Sequence, residues 1–560
     1  MKNSLLKLNL SIGLGAALLL IPFLGRVHLF DWDEINFAEC AREMLVTHDF
    51  FTVRINFLPF WEKPPLFIWL SAGCMELFGV NEFAARLPDA LCGIGTLLLV
   101  FNIGNRLYDK KMGLLWVLSY AGSTLPQFYF KSGIIDPWFN LFIFCGIYLF
   151  VLFTNTPAES ANTESSKERL ILLIKSAFFI GLAVLTKGPV AILILGLCVL
   201  VYLLIKRFRN VISFGQLIVY GAVVLSLGGI WFLILWLSGN SAVITEFFQY
   251  QVRLFQTQDS GHGGPFYYHF IVLLVGCFPA SAFAIWGMKK NTADTLFQRH
   301  FRRWMLILFW VVLLLFSIVN TKIIHYSSLC YFPLTYFSAR CMHGILNGTQ
   351  AWKKGISILI GIIGGLFGLV LLCLPLVDRF KSRLLASNLI DDAFAVENLK
   401  AQVHWSGWEG LIGAGSLVAL IVCLGMAHKK RTFTAVGILF VTNLFVVELS
   451  SLVIAPKIEQ YVQGAAIEFY QELRGKDCYL ETITFKSYAQ YFYGEIRPTK
   501  NNKSYLPDWL LDGPIDRPAY FSAKITETET IRKLHPLLKE LYRKNGFVFY
   551  RREPSPFNIQ

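Results

Sequence analysis

Apolar stretches of about twenty residues follow one another from the N-terminus to roughly residue 454, separated by short charged or Pro/Gly-bearing breaks. That length suits a helix crossing the hydrocarbon of a bilayer. It predicts about thirteen spans, near residues 8–26, 86–106, 112–130, 133–153, 170–186, 188–205, 211–238, 267–288, 304–320, 325–342, 355–376, 408–427 and 432–454. The tightest pairs of spans meet around Lys131 and Lys187. The first stretch, "MKNSLLKLNLSIGLGAALLLIPFLG", has the look of a secretion signal but no small-residue cleavage site, so it reads as a retained span. Beyond Leu452 the periodicity changes. "CYLETITF", "AYFSAKI" and "GFVFYRR" read as strands, and "TETIRKLHPLLKELYRK" as a helix. The expected fold is a polytopic α-helical membrane protein over residues 1–455, with a small α/β domain outside the membrane over 456–560.

Composition narrows this reading. Of 560 residues, 55% are hydrophobic and 16% charged, too apolar for a water-soluble chain of this length. The formal charge of +14 does not point to nucleic acid, because Lys and Arg gather beside the spans. With the N-terminus in the cytoplasm, the basic clusters "RLYDKK", "KRFR", "RHFRR", "WKK" and "HKKR" fall on the cytoplasmic side. Asp31, Asp33, Glu34, Glu62, Asp136, Asp391 and Asp392 then fall on the other side. An odd number of spans places the C-terminal domain on that outer side as well. The segment 154–168 reads as a polar cytoplasmic loop. Eleven scattered cysteines without a CxxC pair indicate neither a zinc finger nor a disulfide framework, although Cys40 and Cys74 share an outer segment and form a candidate pair.

Two outer segments are long, 27–85 and 239–266. Long ordered loops tend to carry function. In "DWDEINFAECAREM", Phe37, Ala38, Ala41, Met44 and Leu45 share one helical face, and Glu39, Arg42 and Glu43 lie off it. This predicts a short helix along the membrane surface that starts at Asp33 and Glu34. Acids at a helix start also serve simply as caps. Further along, "FWEKPPLFIWL" sets Glu62 and Lys63 before two prolines that open another helix. "KSGIIDPWF" places Asp136 at an outer turn, where Asp-Pro is also an ordinary turn former. "QVRLFQTQDSGHGGPFYYH" supplies Arg253, His262, Tyr267 and Tyr268, with His262 in a Gly-rich setting that suits a metal ligand opposite a glutamate. "NTKIIHYSSLCYFP" brings Lys322, His325 and Tyr326 to the outer start of a span, where a lysine can also merely snorkel.

The order "DWDE…AE…REM", "WEKPPL", "FAARLPDAL", "KSGIIDP", "LTKGPVA", "GHGGPFYY" and "KIIHYSSLCYFP" resembles the membrane glycosyltransferases of the C superfamily (GT-C). Within that superfamily it is similar to the aminoarabinose transferases and the bacterial protein-mannosyltransferase-like enzymes. The resemblance covers roughly residues 10–345. It implies transfer of a sugar from a polyprenyl-phosphate carrier to lipid A, a protein or another glycan, on the outer face of a bacterial inner membrane. It further implies that Asp33 is the catalytic carboxylate and that Asp136 is a second acid near the donor phosphate or the acceptor. Lys63 would meet the lipid phosphate, and Glu62 and His262 would hold a divalent metal such as Zn, Mg or Mn. Glu34, Arg253, Tyr267, Tyr268, Lys322, His325 and Tyr326 are the candidate substrate-binding positions, some of them lining the cavity.

The chemistry agrees with the resemblance. Cleaving a sugar–phosphate bond leaves charge on the phosphate, which fixed cations stabilise, and no proton donor is required. A hydroxyl acceptor needs a carboxylate to take its proton, whereas a phosphate acceptor arrives ionised and needs only positioning. The rival readings are a flippase for lipid-linked sugars, an O-antigen ligase or polymerase, and a scaffold without catalysis. A transporter would keep its charges at mid-membrane depth rather than at one surface.

Overall fold

The computed structural model describes residues 2–156, 163–208, 211–257, 263–387 and 390–554. Each of the predicted apolar segments is helical, but they do not all cross a bilayer unaided. Eight helices are long and apolar enough to do so: Asn3–Leu20, Glu82–Leu107, Asp136–Asn155, Ser166–Lys187, Leu296–Ile318, Lys354–Cys373, Gly410–His428 and Thr432–Val462. Two more segments are bent pairs, Phe214–Gly228 with Ile230–Leu237 at 52° and Tyr268–Gly276 with Ala280–Gly287 at 110°. Counting each pair as one span gives up to 10 among the described residues. The other predicted spans are the shorter helices Lys110–Ala121, Val190–Ile205 and Tyr331–Leu346. A twelve-residue helix such as Lys110–Ala121 rises only about 18 Å at the α-helical pitch, against roughly 30 Å of hydrocarbon.

Hydrophobic residues point both ways, as expected where the surroundings are also apolar. Leu6, Leu10, Leu14 and Leu18, spaced one helical turn apart, are 59–68% exposed and form a stripe suited to lipid. Trp116 and Trp304 are wholly buried in the central bundle. Lys110–Ala121 and Tyr331–Leu346 meet in that bundle, where Trp116 Nε1 donates to Thr335 Oγ1 at 3.0 Å, while Val190–Ile205 leaves Ile192, Leu193, Leu200 and Leu204 exposed along one side. Small residues let backbones meet there. A Cβ on Gly287 would lie 1.8 Å from the carbonyl oxygen of Phe337.

One end of the bundle is capped by the first long loop and the C-terminal residues. The loop carries the helices Asp33–Thr47 and Leu66–Phe78 and a small hairpin, β1 (Arg54–Ile55) and β2 (Leu58–Pro59). The C-terminal unit carries the helix Gly464–Glu472 and four strands, β3 (Tyr479–Ile483), β4 (Ala519–Lys524), β5 (Lys539–Lys544) and β6 (Phe547–Arg552). The sheet order is β3-β4-β6-β5, with β3 and β4 parallel and the other neighbours antiparallel. Three local expectations change. The predicted helix over 528–544 stops at Leu534, before His535-Pro536, and its second half is strand β5. Asn545 and Gly546, at φ 48° and 76°, turn β5 into β6 as a tight hairpin. The loop expected over 239–266 contains the helix Ser241–Gln256. Residues 157–162 of the predicted polar loop lie outside the described residues, and the next helix begins at Thr163. Cys40 and Cys74 are both free thiols.

The largest change concerns Asp33–Thr47. Its polar side does not face water. Glu39, Arg42 and Glu43 are 0–3% exposed. Around the helix, Ala489, Tyr491, Phe492 and Tyr493 of the C-terminal unit share a core with Ile35, Ala38, Ala41 and Met44, and the β1–β2 hairpin reaches Glu43 through Phe57. The buried acids are managed locally. Arg42 donates to both oxygens of Glu39, at 2.6 and 2.7 Å, and Glu43 accepts the Phe57 N–H at 2.8 Å. Burial, and then the Glu39 carboxylate, push the Glu43 carboxyl up to about 9.

A second buried pair ties this cap to the bundle. Arg86, within the long helix Glu82–Leu107, donates from Nε and Nη2 to the two oxygens of Glu34 at 2.9 and 2.8 Å. Its remaining donors reach the carbonyls of Leu24, Val27 and His28 at 2.7–3.0 Å. All five guanidinium N–H groups are thus engaged. Burial works against the charged form of Glu34, but Arg86 and the Phe30 and Gly133 N–H donors outweigh it and hold its pKa below the usual range. Arg86→Ala leaves Glu34 buried and unpaired. It should lower stability by about 3–5 kcal/mol, measured by thermal or denaturant unfolding in detergent.

Candidate functional site

The site grows from the three places where helices begin or break at the capped end. Asp33 opens its helix after Trp32, whose backbone sits at φ 75°, ψ −120°, an unfavourable region for a bulky residue. Asp136 opens the helix Asp136–Asn155, with Pro137 at the first turn. Lys187 ends one helix, and Gly188, at φ 92°, turns the chain into the next helix at Val190. A Cβ on Gly188 would strike Phe247 at 2.6 Å, so this turn needs glycine on both counts.

These breaks bring four side chains into a row. His325 Nε2 lies 3.2 Å from Asp33 Oδ2 and 3.7 Å from Asp136 Oδ2. Lys187 Nζ donates to Asp136 Oδ1 at 2.6 Å and also sits over the Tyr326 ring at 5.1 Å. Asp136 is 2% exposed, so its charge rests on Lys187 and His325 rather than on water. Asp33 is more open, with 34% of its side chain accessible. The Ser132–Asp136 turn is itself held from both sides. Gly133 N–H donates to Glu34 at 2.6 Å and Ile134 N–H to Asp89 at 3.0 Å.

Beside this row stands a second cluster. Lys63 and Lys486 each approach Glu62 at 4.0 Å, and the Tyr250 hydroxyl donates to Glu62 Oε2 at 3.1 Å. The Tyr250 ring is flanked by Lys63 and Arg253, each 5.1 Å from its centroid. Two cavities meet here, of about 520 and 490 Å³, and both are lined by Asp33, Tyr250, Ile323 and His325. The second also presents Lys63, Asp136 and Lys187 at its polar end, with Leu193, Leu254 and Leu315 along an apolar wall. The first presents Glu62, Arg253 and Lys486, with Lys131 paired to Glu448 at 2.6 Å in its wall. Glu448 precedes a π-helical turn, Ser450–Ile454, that lends Ser451 and Leu452 to the same wall.

The structure therefore gathers Asp33, Asp136, Lys63, Glu62, Arg253, His325 and Tyr326 around two adjoining hollows. Other predicted residues stand apart. Lys322 donates to the carbonyls of Phe316, Ser317 and Val319 and so caps the end of the helix Leu296–Ile318. Tyr267 and Tyr268 line neither hollow, and Tyr267 is 59% exposed. Glu34 faces the first hollow, but both its oxygens are taken by Arg86 and backbone N–H groups, which makes it a positioning residue rather than a substrate ligand. His262, the expected second metal ligand, lies outside the described residues. Among the described residues no three His, Cys, Asp or Glu side chains converge as a metal site. Glu62 already faces two ammonium groups, so the described residues do not by themselves fit a cation there.

Sequence reasoning passed over Lys187, Tyr250, Glu448 and Lys486. Lys187 left a trace, a lysine followed by Gly-Pro between two apolar helices. Tyr250 and Lys486 left none, because each reaches the site only through the placement of a distant element.

Residues 62–236 match the family described as dolichyl-phosphate-mannose-protein mannosyltransferase. An undecaprenyl phosphate-alpha-4-amino-4-deoxy-L-arabinose arabinosyl transferase of Pectobacterium atrosepticum is 26% identical over 450 residues, covering 76% of this chain and 77% of that one. The enzyme of the same name from Edwardsiella ictaluri is 28% identical over 368 residues, covering 64% and 63%. The crystal structure of ArnT from Cupriavidus metallidurans bound to undecaprenyl phosphate superposes with a TM-score of 0.75 at 16% identity, covering 98% of both chains. The chain is a multi-pass membrane glycosyltransferase with the GT-C fold. In sequence it is similar to the aminoarabinose transferases and, over residues 62–236, to the protein mannosyltransferases.

Lys187 neutralises Asp136 and borders the cavity that holds Lys63. Lys187→Met should cut turnover by about a hundredfold or more, the scale of losing one preorganised charge contact. Steady-state kinetics of the purified enzyme, with circular dichroism as a folding control, check this.

Proposed function

We propose that this enzyme transfers a sugar from an undecaprenyl-phosphate carrier to an acceptor at the capped end of the bundle. The observation that carries the reading is the pair of hollows meeting at Asp33 and His325. The second hollow suits the donor, because its apolar wall takes a prenyl chain and Lys63 and Lys187 stand where a phosphate would lie. The first suits the acceptor. The sugar carbon then sits between the two, near Asp33.

The step is a single displacement. The acceptor oxygen forms a bond to the anomeric carbon as the bond from that carbon to the phosphate oxygen breaks. Charge grows on the departing phosphate, where Lys63 and Lys187 meet it without reorganising. A hydroxyl acceptor gives its proton to Asp33, which His325 at 3.2 Å holds in place. A phosphate acceptor needs no such transfer, and Asp33 then orients it. Attack opposite the leaving group inverts the sugar carbon.

We assign the capped end to the periplasm and the N-terminus to the cytoplasm, in a bacterial inner membrane. The basic clusters beside the opposite ends of the spans support that orientation. The relatives' names favour 4-amino-4-deoxy-L-arabinose as the sugar and undecaprenyl phosphate as its carrier, and we propose lipid A as the acceptor.

Asp33→Asn should lower sugar transfer by about a thousandfold while leaving binding of undecaprenyl phosphate unchanged. A radiolabelled transfer assay with lipid A as acceptor measures the first and a carrier-binding assay the second; near-normal turnover of the variant would overturn the assignment. A divalent ion at Glu62 and His262 is a separate proposal. If it holds, elemental analysis of purified protein finds about one equivalent of Zn, Mg or Mn. Glu62→Ala would then lose that ion, and chelators would reduce activity.

A further inference from the structure

Resting on the proposed reaction, we propose that the C-terminal unit supplies a binding residue, Lys486, for the anionic headgroup of a lipid acceptor. Among the described residues of 464–554, Lys486 is the one that lines the first cavity. Its side chain is 53% exposed, with its ammonium 4.0 Å from Glu62 and over the Tyr488 ring at 5.2 Å.

The loop bearing it is built to hold that position. Thr484 adopts φ 69°, a costly conformation for a β-branched residue. Thr482 Oγ1 donates to the carbonyl of Phe485 at 2.8 Å. Asp31 accepts hydrogen bonds from the Ser487 hydroxyl and the Tyr488 N–H. Tyr488 meets Phe60 edge-on at 6.5 Å. Two of these contacts, at Asp31 and Phe60, come from the first loop. The loop that carries the catalytic Asp33 therefore also sets the reach of Lys486.

The rest of the cavity points to an amphiphile. Phe23 and Leu452 line it and also line a third hollow, where Arg26 and Lys457 stand. Phe23 is 64% exposed and adopts φ 65°. An apolar chain can lie along Phe23, Leu24 and Leu452 while its charged head reaches inward to Lys486. The donor carrier is served elsewhere, since Lys63 and Lys187 belong to the other cavity. Lys486 is thus a specificity residue for the acceptor side alone.

The test compares binding of two lipids, bis-phosphorylated lipid A and undecaprenyl phosphate, in the same detergent to wild-type, Lys486→Ala and Lys486→Arg full-length protein. Lys486→Ala should bind lipid A about tenfold more weakly, the loss of one charge-assisted contact. Its affinity for undecaprenyl phosphate should stay within about twofold, and Lys486→Arg should keep most of the lipid A affinity because the charge is retained. Unchanged lipid A binding by Lys486→Ala, or an equal loss for both lipids, overturns the proposal. A thermal melt accompanies each variant, and Lys486→Met replaces an alanine variant that melts early. Wild-type protein that binds both lipids as described yet forms no glycosidic bond would defeat the proposed reaction and leave the Lys486 result standing.

Discussion

The Arg86–Glu34 pair decides where the chemistry can occur. It is a buried ion pair, and such pairs often fail to recover their desolvation cost. Here the geometry is complete. The guanidinium closes on Glu34 and on the carbonyls of Leu24, Val27 and His28, and Glu34 closes on Arg86, Phe30 and Gly133. Three segments far apart in the chain, 24–34, Arg86 and Gly133, meet at one point with no donor of the arginine left over. Asp33 is the neighbour of Glu34, and Asp136 lies three residues beyond Gly133. Setting Glu34 against Gly133 therefore sets the separation of the two carboxylates that flank His325. What the pair provides is register more than stability.

From that register follows the electrostatic logic of the site. The two acids do not share one environment. Asp136 is sealed and neutralised by Lys187, while Asp33 stays accessible to both hollows. One carboxylate is balanced by a lysine and the other stays open to both hollows. Glu62 and Tyr250 form part of a wall with cations on both sides, Lys63 facing one hollow and Arg253 and Lys486 the other. In a reaction that passes a sugar between two carriers, such a wall lets each be held by its own charges while both reach Asp33.

Much of this was legible in the residues. Apolar length located every bundle helix, because hydrocarbon demands that backbone hydrogen bonds be closed within a segment. The acids of the first loop and Lys63 were legible as candidates because charges beside lipid are costly unless they serve a purpose. Local signals were also missed where they were present. Asn545-Gly546 announced a hairpin, and Pro536 an end to the preceding helix, yet the helical spacing of 528–544 prevailed in the reading. Lys322 looked like a ligand because it stood in a motif, but a lysine four residues beyond the end of a helix is well placed to cap its carbonyls.

By itself the sequence determined the membrane class, the helical segments and a set of candidate ionisable residues near Asp33, and its motifs resemble the membrane glycosyltransferases. The first three follow from composition and spacing, which are properties of a chain read in order. Only the tertiary structure decided that the polar face of Asp33–Thr47 is buried, since the helix packs with a Tyr491–Tyr493 patch that comes from more than 440 residues later. It alone brought Lys187, Tyr250, Glu448 and Lys486 to the two hollows and sent Lys322 elsewhere. Whether a charged side chain meets a substrate or a carbonyl depends on what stands opposite it, and that partner is chosen by packing across the chain rather than by its neighbours in sequence.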